Sequence, residues 1–140
     1  MRARLLCLGT VVFIILILGL LESIHAAEFF CSNVTCLIAS INQANGLPGK
    51  HTIFLEPGTY TLTAMDNDTD DPNGLPSIKG TITIRQNDQL ATIERDPDAP
   101  PFRLFHIAPS GDLRLYGLGL RNGDNVEDND RDVRGGAAIY

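Results

Sequence analysis

The sequence predicts an all-β fold of the solenoid type, a parallel β-helix in which short strands stack in coils above one capping helix. Beyond residue 50 the polar–apolar pattern repeats at every second position in short segments that are separated by turn residues. Comparable segments begin at Thr52, Thr81 and Arg103, and recurring strand–turn units are typical of solenoids. A β-sandwich of antiparallel hairpins is the alternative, although it needs more short Asn-Gly or Asp-Gly turns than lie between these segments.

Residues 1–26 have the composition of a secretory signal peptide. Arg2 and Arg4 are followed by an uncharged apolar run over residues 5–21 and by a short exit that ends at Ala26. We therefore expect export, cleavage after Ala26 and a secreted or cell-surface location. An uncleaved membrane anchor is the alternative, because an apolar run of this length is close to the minimum that spans a bilayer.

The charge balance restricts the partners of the protein. The 140-residue chain has 17 acidic and 11 basic side chains and a formal net charge of -6. Because phosphate groups and anionic lipid surfaces repel such a chain, we expect no nucleic-acid partner and membrane contact only through an uncleaved leader. The same charge attracts divalent cations.

Two cysteines lie beyond the leader, Cys31 and Cys36. In an oxidising compartment a disulfide between them is the preferred prediction. A zinc site is the alternative, with His51 and His106 as the further ligands. Each of these histidines lies alone in an apolar or turn context, which favours the disulfide.

Residues 27–50 are predicted to form an N-terminal cap with one short amphipathic helix over residues 35–45. The residues of its apolar face are Leu37, Ile38, Ile41 and Ala44. Ser40 falls on the opposite, polar face. Thr35 is the predicted N-cap residue, and Gly46 is predicted to end the helix.

Residues 51–140 are predicted to form the first coils of the solenoid. The strand segments cover residues 52–55, 59–63, 80–84, 91–94, 103–107, 112–116 and 117–120, and a further strand begins within residues 135–140. Alternate apolar side chains are expected to point inward and to stack on their counterparts in adjacent coils. The inward positions include Ile82, Ile84, Leu113 and Leu115.

Five segments of the chain, taken in order, resemble the N-terminal region of a known protein family. They are LIASINQAN at 37–45, HTIFLEPGTYTLT at 51–63, LPSIKGTITI at 75–84, ATIERD at 91–96 and FRLFHIAPSGDLRLYGLGLRNG at 102–123. Together they are similar to bacterial secreted right-handed parallel β-helix proteins of the pectin-lyase-like type, which include repeat proteins named for a Cys-Ser-Leu-Arg-Glu-Ala motif. Residues 35–40 read TCLIAS, without the Arg-Glu pair of that motif.

This resemblance implies a right-handed β-helix that continues beyond Tyr140, so we expect the sequence to be a fragment of a longer protein. Members of the family run on through Gly-Gly-x-Ile-Tyr coils, and residues 135–140 resemble the start of one. In those members that are polysaccharide lyases or hydrolases, the catalytic coils generally lie further along the chain.

Two acidic segments are candidate calcium loops. The carboxylates are Asp66, Asp68, Asp70 and Asp71 in the first segment, and Asp128, Asp130 and Asp132 in the second. Alternating carboxylates in a loop can supply several of the six to eight oxygen ligands that calcium takes. Neither segment has the glycine of an EF-hand loop, and solvated surface loops are the preferred interpretation. Calcium is the one cofactor that the sequence indicates.

No residue set in the sequence has the spacing of a catalytic site. The chain has no Gly-x-Ser-x-Gly motif and no phosphate-binding glycine loop. We therefore predict the N-terminal part of an exported, non-enzymatic surface or adhesion β-helix protein that binds an extracellular glycan or a surface protein. The alternative is the N-terminal part of a polysaccharide lyase or hydrolase whose active coils lie beyond this chain.

Overall fold

The computed structural model describes residues 26–124 and residue 139. The helix and strands of this part of the chain are, in order, β1 Glu28–Cys31, α1 Val34–Gly46, β2 Lys50–Leu55, β3 Gly58–Leu62, β4 Thr81–Gln86, β5 Ala91–Arg95, β6 Asp112–Tyr116 and β7 Leu118–Arg121. The fold is therefore mostly β, as the sequence predicts. Three predictions lie outside the described residues: the leader apart from Ala26, the final strand apart from Ile139, and the carboxylates Asp128, Asp130 and Asp132.

The named strands of the described residues form two sheets, and every strand pair within them is parallel. The four-stranded sheet has the order β1-β2-β4-β6, and the three-stranded sheet has the order β3-β5-β7. Parallel neighbours cannot be joined by a tight hairpin, so each pair is connected through a longer crossover. The alternative of an antiparallel sandwich is therefore wrong.

Equivalent positions in the four-stranded sheet recur at a constant interval. Lys50 lies opposite Thr81, and Thr81 lies opposite Asp112. The interval along the chain from Lys50 to Thr81 is the same as that from Thr81 to Asp112. The predicted spacing, in which Thr52, Thr81 and Arg103 begin equivalent strands, is wrong. Thr52 pairs with Thr83, and the strand that follows β4 in this sheet is β6, which begins at Asp112.

The segment 103–107, predicted to be a strand, forms only isolated bridges. Arg103 pairs with Asn73 and Ile107 pairs with Ile78, both in parallel orientation. Its counterpart is therefore the crossover between β3 and β4, not strand β4 itself. The physical reason is that the segment from Asn73 to Ile78 is one residue longer than the segment from Arg103 to Ile107, so a continuous parallel ladder cannot form between the two bridges.

The apolar core takes alternate residues from both sheets. Ile53 lies opposite Ile84, and Ile84 lies opposite Leu115. Ile82 lies opposite Leu113 in the same way. Ile82 and Ile84 are fully buried, and the two leucines are half-buried against the same cluster. The predicted stacking of inward residues is thus confirmed, and each fully buried isoleucine contributes about 2 kcal/mol.

Helix α1 packs against strands of both sheets and extends slightly beyond its predicted bounds at each end. Its N-cap residue is Asn33 and not Thr35, because the Asn33 Oδ1 accepts the Cys36 N–H at 2.9 Å. Ser40 is buried and not exposed, because its hydroxyl contacts the Cys31 Sγ at 3.2 Å. No helix within residues 26–124 is long and apolar enough to cross a bilayer.

The Cys31 and Cys36 side chains lie at disulfide distance, with their Cα atoms 5.3 Å apart. The bond joins the end of β1 to the first turn of α1. It closes a short loop, so its entropic effect on the unfolded chain is modest.

Candidate functional site

The outer face of the four-stranded sheet presents one row of large side chains. Phe30 on β1 lies opposite Phe54 on β2. Arg85 on β4 lies opposite Phe54, and Tyr116 on β6 lies opposite Arg85. We call these four residues the aromatic row. Phe30 is 59% exposed and Tyr116 is 55% exposed, and strands about 4.8 Å apart give the row a length of about 14 Å.

Three of the four side chains of the aromatic row contact one another. The rings of Phe30 and Phe54 are stacked, with centroids 4.9 Å apart and planes inclined by 9°. The Arg85 guanidinium carbon lies over the Phe54 ring, 5.7 Å from its centroid. Aromatic stacking and the cation–π contact favour one relative orientation of these three groups.

Polar and charged side chains flank the aromatic row on the same face. One flanking position consists of Glu28, Thr52, Thr83 and Arg114, and the next consists of Lys50, Thr81 and Asp112. Arg114 Nη2 donates to Asp112 Oδ2 at 3.0 Å, and this hydrogen bond raises the pKa of Arg114 above its ordinary value. The face therefore combines apolar rings with hydroxyl, carboxylate and cationic groups.

The first acidic segment is folded against two buried basic side chains. Arg103, only 2% exposed, donates from Nε to the Asn73 Oδ1 at 3.2 Å and from Nη2 to the Asp70 carbonyl oxygen. Its Nη1 lies 3.7 Å from the Asp71 Oδ2. His106 is 3% exposed, and its Nε2 lies 3.2 Å from the Asp70 Oδ2. Two of the predicted calcium ligands thus face basic groups of the protein itself.

The four carboxylates of the first predicted calcium loop are not brought together into one group. Asp66 accepts a hydrogen bond from the Asn67 Nδ2 at 3.1 Å, and Asp68 is exposed. Within residues 26–124, no three metal-binding side chains lie close enough to hold one ion. Calcium binding stays a prediction, both here and at the second acidic segment.

A hydrogen-bonded chain of Ser77, His106 and Asp70 crosses the same corner of the molecule. The His106 Nδ1 lies 2.9 Å from the Ser77 Oγ, and its Nε2 faces Asp70. The Ser77 hydroxyl donates to the Asn67 Oδ1 at 3.3 Å, and an amide oxygen can only accept. These contacts attach His106, in the crossover between β5 and β6, to Ser77 and to the acidic segment.

A polar groove of about 410 Å³ lies between the end of α1 and the acidic segment, and its lining includes Asn42, Asp66 and Lys79. The Asn45 Nδ2 donates to the Ser77 carbonyl oxygen at 2.8 Å, and its Oδ1 accepts the Lys79 N–H at 2.8 Å. These two bonds attach the helix to the crossover between β3 and β4. The amide of Asn45 is therefore used for structure.

Tyr60 links the first strands of the two sheets. Its hydroxyl contacts the carbonyl oxygens of Cys31 and Glu56, at 2.5 and 3.1 Å. Burial raises the pKa of Tyr60 above its ordinary value, and the negative charge of Glu56 adds to the shift. The neutral phenol is the form that this environment favours.

The aromatic row is absent from the sequence-based predictions, although a signal for it exists. Phe54, Arg85 and Tyr116 are evenly spaced along the chain and share one position once the constant interval of the sheet is known. The predicted spacing of Thr52, Thr81 and Arg103 differs from this interval and therefore does not align Phe54, Arg85 and Tyr116. The sequence also predicts Arg103 to be a strand residue, and nothing in its local sequence indicates that its side chain is buried.

No protein-family model, no curated protein and no solved structure matches this chain. The resemblance to pectin-lyase-like β-helix proteins is therefore an expectation from the sequence alone. What the structure shows is a predominantly β protein with two parallel sheets and little helix.

Proposed function

We propose that this chain forms the first coils of an exported right-handed parallel β-helix and that it binds a glycan, without enzymatic activity, at the aromatic row. Two features of the fold support the solenoid. Parallel strands alternate between two sheets, and strands of one sheet recur at a constant interval. Right-handedness is supported by the general rule that about 98% of parallel crossovers are right-handed.

Export to the cell surface or the medium is supported by two independent observations. Residues 1–26 have the composition of a cleavable leader. Cys31 and Cys36 lie at disulfide distance, and disulfides persist in oxidising compartments. Helix α1 and β1, which carry these cysteines, form the cap from which the proposed coils begin.

The single observation that carries the binding proposal is the aromatic row. Two of its rings, those of Phe30 and Tyr116, are exposed, and an exposed line of large apolar groups with polar neighbours is typical of a binding surface. The ring of Tyr116 offers an apolar face to the C–H groups of a sugar together with a polar hydroxyl. Arg85 and the flanking hydroxyl and carboxylate groups can exchange hydrogen bonds with sugar hydroxyls. A glycan chain lying across the four strands meets all of these groups.

A glycan array probed with the exported chain tests this proposal. We expect binding to a restricted set of glycans and an affinity loss of about tenfold for each of Tyr116→Ala and Arg85→Ala, equivalent to about 1.4 kcal/mol per variant. The matched control is Leu90→Ala, because Leu90 is 59% exposed and precedes β5 of the other sheet. This control is expected to bind as the unsubstituted chain does.

Three outcomes contradict the proposal. Unchanged glycan affinity in both row variants excludes the aromatic row as the site. Binding of a surface protein at the aromatic row, with no glycan bound, shows that the ligand is a protein and not a glycan. Degradation of a polyuronate by the chain establishes the alternative, a polysaccharide lyase or hydrolase.

A further inference from the structure

The first residue after the predicted cleavage junction is held by the fold through both of its backbone groups. The Ala27 N–H donates to the Nδ1 of His51 at 3.1 Å. The Ala27 carbonyl oxygen accepts the Thr52 N–H at 2.9 Å. Ala26, the last residue of the predicted leader, is exposed. Ala27, the residue that follows the predicted leader, is therefore already bound to the fold.

The hydrogen bonds of His51 define which ring nitrogen accepts. His51 is 1% exposed, and its Nε2 lies 3.2 Å from the carbonyl oxygen of Leu47, just beyond the end of α1. A carbonyl oxygen can only accept, so the Nε2 carries the proton and the Nδ1 presents its lone pair. That lone pair faces the nitrogen of Ala27.

We propose that His51 is the receptor for the new α-amino group that leader removal creates at Ala27, an inference that rests on the proposed export. A signal peptidase hydrolyses the Ala26–Ala27 peptide bond with one water molecule. The hydroxyl of the water goes to the carbonyl carbon of Ala26, and a hydrogen goes to the nitrogen of Ala27. A free α-amino group has an ordinary pKa of about 7.7–8.0 and is mostly charged at neutral pH. It replaces a neutral amide donor at the Nδ1 by a charged one, which makes the hydrogen bond stronger.

The geometry distinguishes this junction from its neighbours. Cleavage one residue later, after Ala27, leaves Glu28 as the first residue. Both Ala27 bonds are then lost, and the buried Nδ1 of His51 and the Thr52 N–H lose these partners, which destabilises the fold. Cleavage one residue earlier leaves only a neutral amide at the Nδ1. The strongest contact is formed by a chain that begins at Ala27.

The product of export in a bacterial host tests the proposal directly. The full-length chain is produced with its own leader, and the exported protein is analysed by intact mass and by ¹⁵N NMR of the His51 ring. We expect a chain that begins at Ala27 and a His51 ring with an unprotonated Nδ1 and a protonated Nε2. A first residue of Glu28, or a protonated Nδ1 at neutral pH, overturns the proposal.

A double-mutant cycle separates the receptor role from a general structural role. Deletion of Ala27 from the precursor and substitution His51→Gln are each expected to lower the melting temperature of the exported product by about 4 °C. The loss in the double variant is expected to be smaller than the sum of the two single losses, because both changes remove the contact between Ala27 and His51. Deletion of Ala27 combined with His106→Gln is the control, and its two effects are expected to add.

The two proposals fail in distinguishable ways. A product that keeps its leader overturns both the export proposal and the receptor proposal. Additive effects of the Ala27 deletion and His51→Gln, in a product whose unsubstituted form begins at Ala27, overturn the receptor proposal alone. His51→Phe provides a second variant if the glutamine takes over the hydrogen bonds of the ring.

Discussion

The corner formed by residues 66–78 and 102–107 differs from the two sheets because it adds buried hydrogen-bonded polar side chains to the shared apolar core. In the sheets, apolar residues such as Ile82 and Ile84 pack on their register partners. In the corner, Asn73 and Arg103 are equally buried but are held by directed hydrogen bonds. An apolar position accepts other residues of similar volume, whereas a buried polar group needs its particular partner. The inward positions of the sheets are therefore expected to accept other apolar residues of similar volume, whereas the buried polar positions of the corner are not.

The largest expected effect is that of Arg103→Met. The substitution removes the cation from the Asp70 carbonyl oxygen, the Asp71 carboxylate and the Asn73 Oδ1. Breaking a buried network of this kind lowers the free energy of unfolding by about 4 kcal/mol. Denaturant unfolding monitored by circular dichroism measures the change.

The matched control for Arg103 is Arg121→Met, because Arg121 is exposed at the end of β7. Its expected effect is within about 0.5 kcal/mol. If the two arginine variants unfold at the same denaturant concentration, the corner is not held by a buried network.

A smaller loss, about 3 kcal/mol, is expected for Ile84→Ala in the sheet. The substitution leaves a cavity between the register partners Ile53 and Leu115. Thr83→Ala, one residue earlier on the outer face of the same strand, is expected to change the free energy of unfolding by less than about 1 kcal/mol. Equal losses for the two variants would show that the inward and outward faces of β4 are assigned incorrectly.

The contrast between the two regions explains what the sequence could predict. The period-two alternation of β4 and the apolar face of α1 are local patterns, and both elements lie close to where the sequence places them. The register is not local, because it depends on the lengths of the crossovers, and the constant interval of the sheet is not evident from the sequence for that reason. Local patterns also cannot show that Arg103 is buried, since its hydrogen-bond partners lie far from it in the chain. The aromatic row depends on the same register, so the sequence does not predict it either.

Tyr60→Phe sharpens the comparison at the junction between the two sheets. At neutral pH the loss of the hydroxyl contacts is expected to lower the free energy of unfolding by about 1 kcal/mol. The raised pKa of Tyr60 in the folded protein favours the neutral phenol. Its contribution is complete below the unfolded pKa of about 10 and is lost as the pH rises through the higher folded value. Urea unfolding between pH 8 and 12 is therefore expected to show a shallower alkaline loss for the phenylalanine variant. Equal slopes for the two proteins would contradict this role.

The smallest expected effect is that of calcium. Asp70 and Asp71 face His106 and Arg103, and Asp66 and Asp68 are exposed. Millimolar calcium is therefore expected to shift the melting temperature by less than about 1 °C. A larger shift that Asp68→Asn reduces would support the predicted calcium loop instead.

Cross-linking of paired cysteines tests the central claim, that β2 and β4 are parallel in the stated register. Thr52→Cys with Thr83→Cys places two thiols on register partners of the outer face. Their Cα atoms lie about 4.8 Å apart, within the range of about 4.4–6.8 Å that disulfides require. We expect this pair to form a disulfide under mild oxidation, and Thr52→Cys with Arg85→Cys, displaced along the strand to the next outward position, to remain reduced. The opposite result would contradict the parallel register and with it the aromatic row.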